Sequence, residues 1–225
     1  MLDTALTYYS KKLQAHKLYY SPVPYIYHNY PASADLYYLF QKGAIQIHSK
    51  LSSAIDLAAP IPFSTLRRRK VSKAKRQGLS VCLDAQQSLW KPFWNILEDV
   101  LAKRHHKVPV HSLEEILLLR ERFPSQIKLV TVEKDGATIA GTVLFLCNQV
   151  IHTQYIASND VGCECGALDL LFYTLLEAGE YSSYRYLDFG ISTEEQGRVL
   201  NSGLLFQKEG FGGRGVCYND YLIQF

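Results

Sequence analysis

Tyr186-Leu187-Asp188-Phe189-Gly190, followed by Gly203-Leu204-Leu205-Phe206-Gln207-Lys208-Glu209-Gly210-Phe211-Gly212-Gly213, is the stretch on which the fold turns. The first run reads as the end of a strand, Tyr184 to Phe189. The second reads as the end of a helix, about Gly197 to Lys208, that runs into glycines suited to terminating it. A last strand, Gly215 to Gln224, follows. Strand, helix, strand at the C-terminal end sets the question of what precedes them.

Working upstream, Ala167 to Ala178 is an apolar helix, reached through a glycine-bearing loop. Before it the period of the apolar residues is two: Lys128 to Glu133, a Lys134-Asp135-Gly136 turn, Ala137 to Cys147, an Asn148-Gln149 turn, then Val150 to Ala157. Ser112-Leu113-Glu114-Glu115 is a capping box that opens a helix to about Phe123. Leu89, Trp90, Phe93, Trp94, Leu97, Val100 and Leu101 repeat at helical spacing and must face a core. Ser64 caps a basic helix running to Gln77, closed by Gly78, and Leu79 to Leu83 is a short strand. The spacing predicts an α/β (α+β) chain with a mixed, mostly antiparallel central sheet flanked by helices. Strand 184–190 should run parallel to the third meander strand, because a strand–helix–strand unit returns in the same direction.

This order and the quoted motif resemble the GNAT superfamily of acyltransferases, and after Tyr184 its Fem-like branch, in which a strand ending Asp-Phe-Gly precedes a Phe-Lys-x-Gly-Phe-Gly run. Gln207 intervenes here between Phe206 and Lys208. The resemblance covers about residues 64–225 and implies a GNAT-like sheet, an acyl thioester or aminoacyl-tRNA donor, and an amine acceptor. It sets the expected organisation as residues 1–60, an irregular tyrosine-rich segment (a candidate remnant of a second lobe), and 61–225, the acyltransferase domain. Pro60 and Pro62 mark that boundary.

The resemblance also assigns roles. Acetyl-CoA or another acyl-CoA would place its pyrophosphate on free amides at the start of the helix after the third strand, within Gly162-Cys163-Glu164-Cys165-Gly166-Ala167. Gly162, Gly166, Ala167 and, by carry-over, Lys208 are the cofactor-binding candidates. Cys163 stands where the family has Gln or Arg, and a glycine turn that merely starts a helix explains the same residues. Transfer to an amine needs a base, oxyanion donors and a proton for the leaving group. His152 and Tyr155 on the third strand are candidates, although alternation puts them on opposite faces unless a bulge intervenes. Asp188 and Glu194 complete the catalytic set. Ser192, Thr193 and Glu195 read equally well as a helix cap.

The 225 residues carry 48% hydrophobic and 20% charged side chains, which excludes a disordered chain. Net charge is only +3, and the cations concentrate in Arg67-Arg68-Arg69-Lys70, Lys73, Lys75 and Arg76. That run is either a solvated helix or a landing site for a phosphate-rich molecule such as tRNA, a nucleotide sugar or a lipid-linked precursor. No apolar run approaches the ~18 residues of a membrane span. The five cysteines lack paired spacing, and His105, His106 and His111 lack helical ligand spacing, so neither a disulfide framework nor a metal site is expected. The expected protein is cytoplasmic. Three functions remain open: acyl-CoA-dependent N-acylation of an amine, such as an amino sugar or cell-envelope precursor; aminoacyl-tRNA-dependent Fem-type transfer; or a non-catalytic GNAT-fold binding module. The tyrosines of residues 1–60 are expected to pack on the domain with hydroxyls to solvent.

Overall fold

A computed structural model describes residues 2–225 of the chain. The N-terminal part holds α1 (Leu2–Lys12), β1 (Lys17–Tyr20), a 3-10 turn at Tyr25–Tyr27, α2 (Ala34–Gln41) and β2 (Ile45–Asp56). Then come α3 (Thr65–Arg76), β3 (Ser80–Cys82), α4 (Trp90–His105), α5 (Leu113–Arg122), β4 (Ile127–Lys134), β5 (Ala137–Cys147) and β6 (Val150–Ser158). The chain closes with α6 (Asp160–Cys165), α7 (Ala167–Glu177), β7 (Tyr186–Ile191), the short β8 (Thr193–Glu194) and β9 (Val199–Leu200), α8 (Ser202–Gly210) and β10 (Arg214–Gln224). The expected mixed α/β architecture is present.

Local signals read from the sequence behave as the chemistry demands. The Ser64 hydroxyl accepts from the Arg67 amide, and Ser112 with Glu115 forms a reciprocal capping box. The β4–β5 turn has Asp135 and Gly136 at φ 51° and 77°, the left-handed pair that a two-residue hairpin turn requires.

Eight strands form one sheet in the order β1-β10-β2-β7-β6-β5-β4-β3. All its pairs are antiparallel except β6 with β7, which is parallel, as expected for a crossover through α7. Residues 1–60 are therefore no irregular appendage: β2 lies inside the sheet, between β10 and β7, and the sheet does not divide at Pro60. The expected helix from Gly197 begins instead at Ser202, because residues 193–200 fold into the β8–β9 hairpin. Ser192 and Thr193 consequently cap no helix.

Alternation sorts the apolar residues onto two faces. Val130, Leu144, Ile151, Leu187 and Phe189 join α3 and α7 residues, Phe172 among them, on one face. Leu129, Val143, Tyr155 and Ala157 meet Trp90, Phe93, Trp94 and Leu97 of α4 on the other. The parallel pairing of β6 with β7 covers only Val150↔Tyr186, Ile151↔Leu187 and His152↔Asp188. Beyond that register β6 continues to Ser158 beside β5, and β7 continues to Ile191 beside β2. The two strands part there. A crevice at the carboxyl ends of parallel strands is where open α/β sheets hold ligands.

Candidate active site

At the parting of β6 and β7, the carboxylate of Asp188 is wholly buried. Its Oδ1 accepts from the Ser52 hydroxyl at 2.6 Å and from the Gly190 amide at 3.0 Å. Its Oδ2 accepts from the Tyr218 hydroxyl at 2.6 Å, the Tyr27 hydroxyl at 2.8 Å and His152 Nδ1 at 2.9 Å. Burial by itself would push this carboxyl up. The hydrogen bonds from His152, Ser52 and Tyr218 outweigh it and hold Asp188 well below the usual carboxylate range. The same charge, with burial as the larger cause, pushes both Tyr27 and Tyr218 up, so both remain phenols that donate.

This charge state fixes a tautomer. An ionised carboxylate can only accept, so Nδ1 of His152 carries a proton, and in the neutral imidazole Nε2 is the nitrogen with the lone pair. The His152 side chain is 24% exposed while Asp188 is sealed beneath it. The arrangement can take up a proton at an exposed nitrogen and stabilise the resulting imidazolium from below.

His152 and Asp188 are thus brought together, from neighbouring strands. Tyr155 reaches the same face as His152 because a bulge does intervene: Leu144 pairs with Thr153 and Val143 with Tyr155, leaving Gln154 over. The Tyr155 hydroxyl accepts from the His111 amide at 3.1 Å and lies 2.8 Å from His111 Nδ1, which ties it to the loop before α5. Glu194 is exposed on β8, and its carboxylate makes no hydrogen bond or ion pair among the described residues.

Three members of the cluster were not among the sequence candidates. Tyr27, Ser52 and Tyr218 lie 161, 136 and 30 residues from Asp188 along the chain. The density of tyrosine near the N-terminus was the only signal for Tyr27. Its hydroxyl points inward, unlike Tyr30 and Tyr37, which are more than half exposed.

The helix start that would take a pyrophosphate has a different character. What reads as a glycine loop is α6, capped by Asn159, whose Oδ1 accepts the Gly162 amide. A Cβ at Gly162 would lie 2.4 Å from Ser158 Oγ and 2.6 Å from the Ile139 carbonyl, so close packing requires the glycine. Gly166, at φ +77°, joins α6 to α7 and gives its amide to the Gly162 carbonyl. A Cβ there would press on Lys70 of α3 at about 3 Å. Ala167 is fully buried. In the first turn of α7, buried Asp169 already supplies a carboxylate, paired with buried Arg67 at 3.1 Å. Burial pushes the Asp169 carboxyl up more than Arg67 lowers it. Lys208 is 3% exposed, and its ammonium donates to the Gly190 and Ile191 carbonyls, both at 2.8 Å. The Gly162 and Gly166 amides and the Lys208 ammonium are therefore spent within the chain and do not fit a coenzyme A pyrophosphate.

At the apex of the splayed parallel pair, beside a bulged strand, a buried carboxylate thus orients an imidazole. The chain belongs to the acetyltransferase (GNAT) domain family, whose model matches residues 64–196, more than half of its length. Among solved structures it is similar to FemX, with a TM-score of 0.75 at 13% identity over 100% of this chain and 75% of that one. It is similar to the C-terminal domain of a putative lysylphosphatidylglycerol synthetase from Agrobacterium fabrum, with a TM-score of 0.65 at 14% identity over 98% and 71%. L-PGS from Bacillus licheniformis gives 0.61 at 12% identity over 84% of this chain and 65% of that one. None of the curated proteins matches the chain by sequence. Among the described residues no helix is long and apolar enough to cross a membrane.

Proposed function

We propose that the chain is an N-acyltransferase that works where β6 and β7 part, with His152 as the base that takes the proton of an amine acceptor. The observation that carries this reading is the 2.9 Å contact of His152 Nδ1 with the sealed Asp188 carboxylate, at the one place where the parallel strands diverge. The free Nε2 accepts the ammonium proton as the amine nitrogen attacks the acyl carbon. Asp188 keeps its own charge and stabilises the imidazolium. Gln154, out of register at the bulge, offers an amide for the developing oxyanion, and Tyr155 stands on the same face to return a proton to the leaving group.

Two readings of the donor follow. Membership of the family supports an acyl-CoA. The cations of α3, which packs beside the starts of α6 and α7, support an ester donor held through a polyanion, as in aminoacyl-tRNA-dependent Fem-type transfer. The fold shared with FemX is compatible with that second reading. An amino sugar or a cell-envelope precursor supplies an acceptor of the right chemistry. The free cysteines suit a reducing, cytoplasmic setting.

Thermal denaturation with acetyl-CoA, longer acyl-CoAs and tRNA separates the donors, since only a ligand of the native state raises the midpoint. A chain that binds none of them is the non-catalytic module. With the donor in hand, His152→Ala should lower turnover by roughly 10²–10⁴ with donor affinity retained. Near-normal turnover in that variant removes His152 as the base.

A further inference from the structure

A second site lies on the opposite face of the sheet and at the opposite end of β6 from the crevice. There the segment Pro60-Ile61-Pro62-Phe63 stands away from the C-terminal half of α7 and encloses a cavity of about 540 Å³. That is within the ~300–1,000 Å³ range of small-molecule sites. Its floor is Ile151 of β6 and Leu175 of α7, both 1% exposed, and its walls include Leu57, Phe63, Tyr173 and Leu176. None of the acyl-transfer residues touches it.

Arg68 and Glu177 are the two charged residues on the rim of this apolar hollow. Arg68 borders it, exposed, and its guanidinium makes one weak hydrogen bond, to Thr65 Oγ1 at 3.3 Å. Among the described residues Arg68 forms no ion pair, whereas its neighbour Arg67 is committed to Asp169. Arg69 and Arg76 of the same helix are also exposed. Glu177 borders the cavity without pairing with Arg68. An apolar chain with one anionic end satisfies both features: burial of its methylenes, and a charge-assisted bond to a planar guanidinium.

We propose that this cavity binds a single-chain anionic amphiphile, with the chain against Ile151 and Leu175 and the carboxylate or phosphate head on Arg68. The full chain is titrated, below the micellar range, with decanoate, decyl phosphate, decanol and decyltrimethylammonium. The two anions should bind at least roughly tenfold more tightly than the alcohol, and the cation least. Whichever anion is tighter identifies the head group. Arg68→Ala should erase the preference for anions, and Glu177→Gln should not weaken them. Gly179 lines the cavity and a Cβ there meets no atom within 4 Å, so Gly179→Phe adds a ring at the rim without a backbone clash, and it should weaken binding of both anions. His152→Ala should bind them as the parent does. Equal affinity for all four probes, or decanoate affinity unchanged in Arg68→Ala and in Gly179→Phe, overturns the site. Should Gly179→Phe unfold, hydrogen exchange decides: anion-dependent protection must appear in residues 57–63 and 173–182, and protection confined to the crevice is equally fatal.

Discussion

The apex of the crevice and the start of α7 both gather polar groups around one buried carboxylate, yet they reach opposite ends. Asp188 collects donors from β2, β6, β10, the 3-10 turn and its own strand, and one of those donors, His152, keeps a second nitrogen on the partly exposed side. Asp169 answers a single buried cation, Arg67, and the helix end around it spends its remaining glycine amide internally. The first leaves a basic nitrogen over; in the second, carboxylate and guanidinium answer each other. A polar cluster reads as a site when its bookkeeping of donors and acceptors is unfinished on the side that faces solvent.

The sharpest way to break this contrast is at Asp188. In Asp188→Asn one oxygen becomes an NH₂ group that faces donors on either side, so several buried hydroxyls lose their acceptor. Stability should fall by about 3–5 kcal/mol, as when one partner is removed from a buried charge network. Turnover in the surviving folded fraction should fall by roughly 10²–10⁴, because the imidazole loses its tautomer and its counter-charge. Urea denaturation and single-turnover rates report the two effects separately. A loss of stability with normal rates would make the cluster structural.

At the other region, Asp169→Asn should cost about 3 kcal/mol, because Arg67 is left buried, stacked 4.8 Å from the Phe211 ring centroid and without its counter-ion. Turnover per folded molecule should not change. A drop in turnover comparable to that of Asp188→Asn would show that the start of α7 does belong to the site.

What the sequence disclosed follows the same division. Ser64, the Ser112–Glu115 box and the Asp135-Gly136 turn act on residues within three or four positions, and each did what local chemistry predicts. The β6–β7 parallel pair followed from a rule about connections rather than from contacts. The place of β2 was not legible: Ala44 to Leu57 reads as one or two strands, but nothing local says that they run between β7 and β10. For the same reason Ser52 and Tyr27 were missed. Residues 193–200 misled in the other direction. Ser192, Thr193 and Glu195 resemble a helix cap, but Glu195 and Gln196 sit at φ 47° and 58°, turning a hairpin against β2 instead. At that turn Gly197 comes so close to the Ser49 carbonyl that no side chain fits.

Removing one donor from the Asp188 shell gives a smaller effect and sharpens the assignment. Tyr27→Phe deletes a hydrogen bond to a charged acceptor, which costs about 2 kcal/mol. It also takes away a hydroxyl 3.2 Å from His152 Nδ1. With one donor fewer, the carboxylate is bound less tightly and leans more on His152. The pH at which the rate is half-maximal should therefore rise, with a modest change in the maximal rate. A pH–rate profile measures this, and an unmoved profile would mean that Tyr27 only packs against the sheet.

The smallest effect is the pH dependence that Lys208 gives to stability. Burial pushes its ammonium down to about 8, with Asp188 pulling weakly the other way. In the unfolded chain the same group titrates near ~10.4. Below about pH 8 both states carry the proton, and the folded state bears the cost of a buried charge. Between about 8 and ~10.4 the unfolded Lys208 holds more of its proton, so its contribution to stability rises with pH, by no more than about 1.4 kcal/mol per unit. The Cys147 thiol, which burial pushes up, works against it. Above that window Tyr27 and Tyr218 reverse the slope: their folded values are raised, so the unfolded phenols ionise first and stability is lost. Urea denaturation from about pH 7 to about pH 10 should show this rise, and Lys208→Met should remove it. The variant also frees the Gly190 and Ile191 carbonyls, so it should be less stable near neutrality, by about 1–2 kcal/mol. A parent protein with no rise above pH 8 would mean that the two carbonyls hold Lys208 charged throughout, and that its bond to the end of β7 is an ordinary ammonium clamp on the strand that carries Asp188.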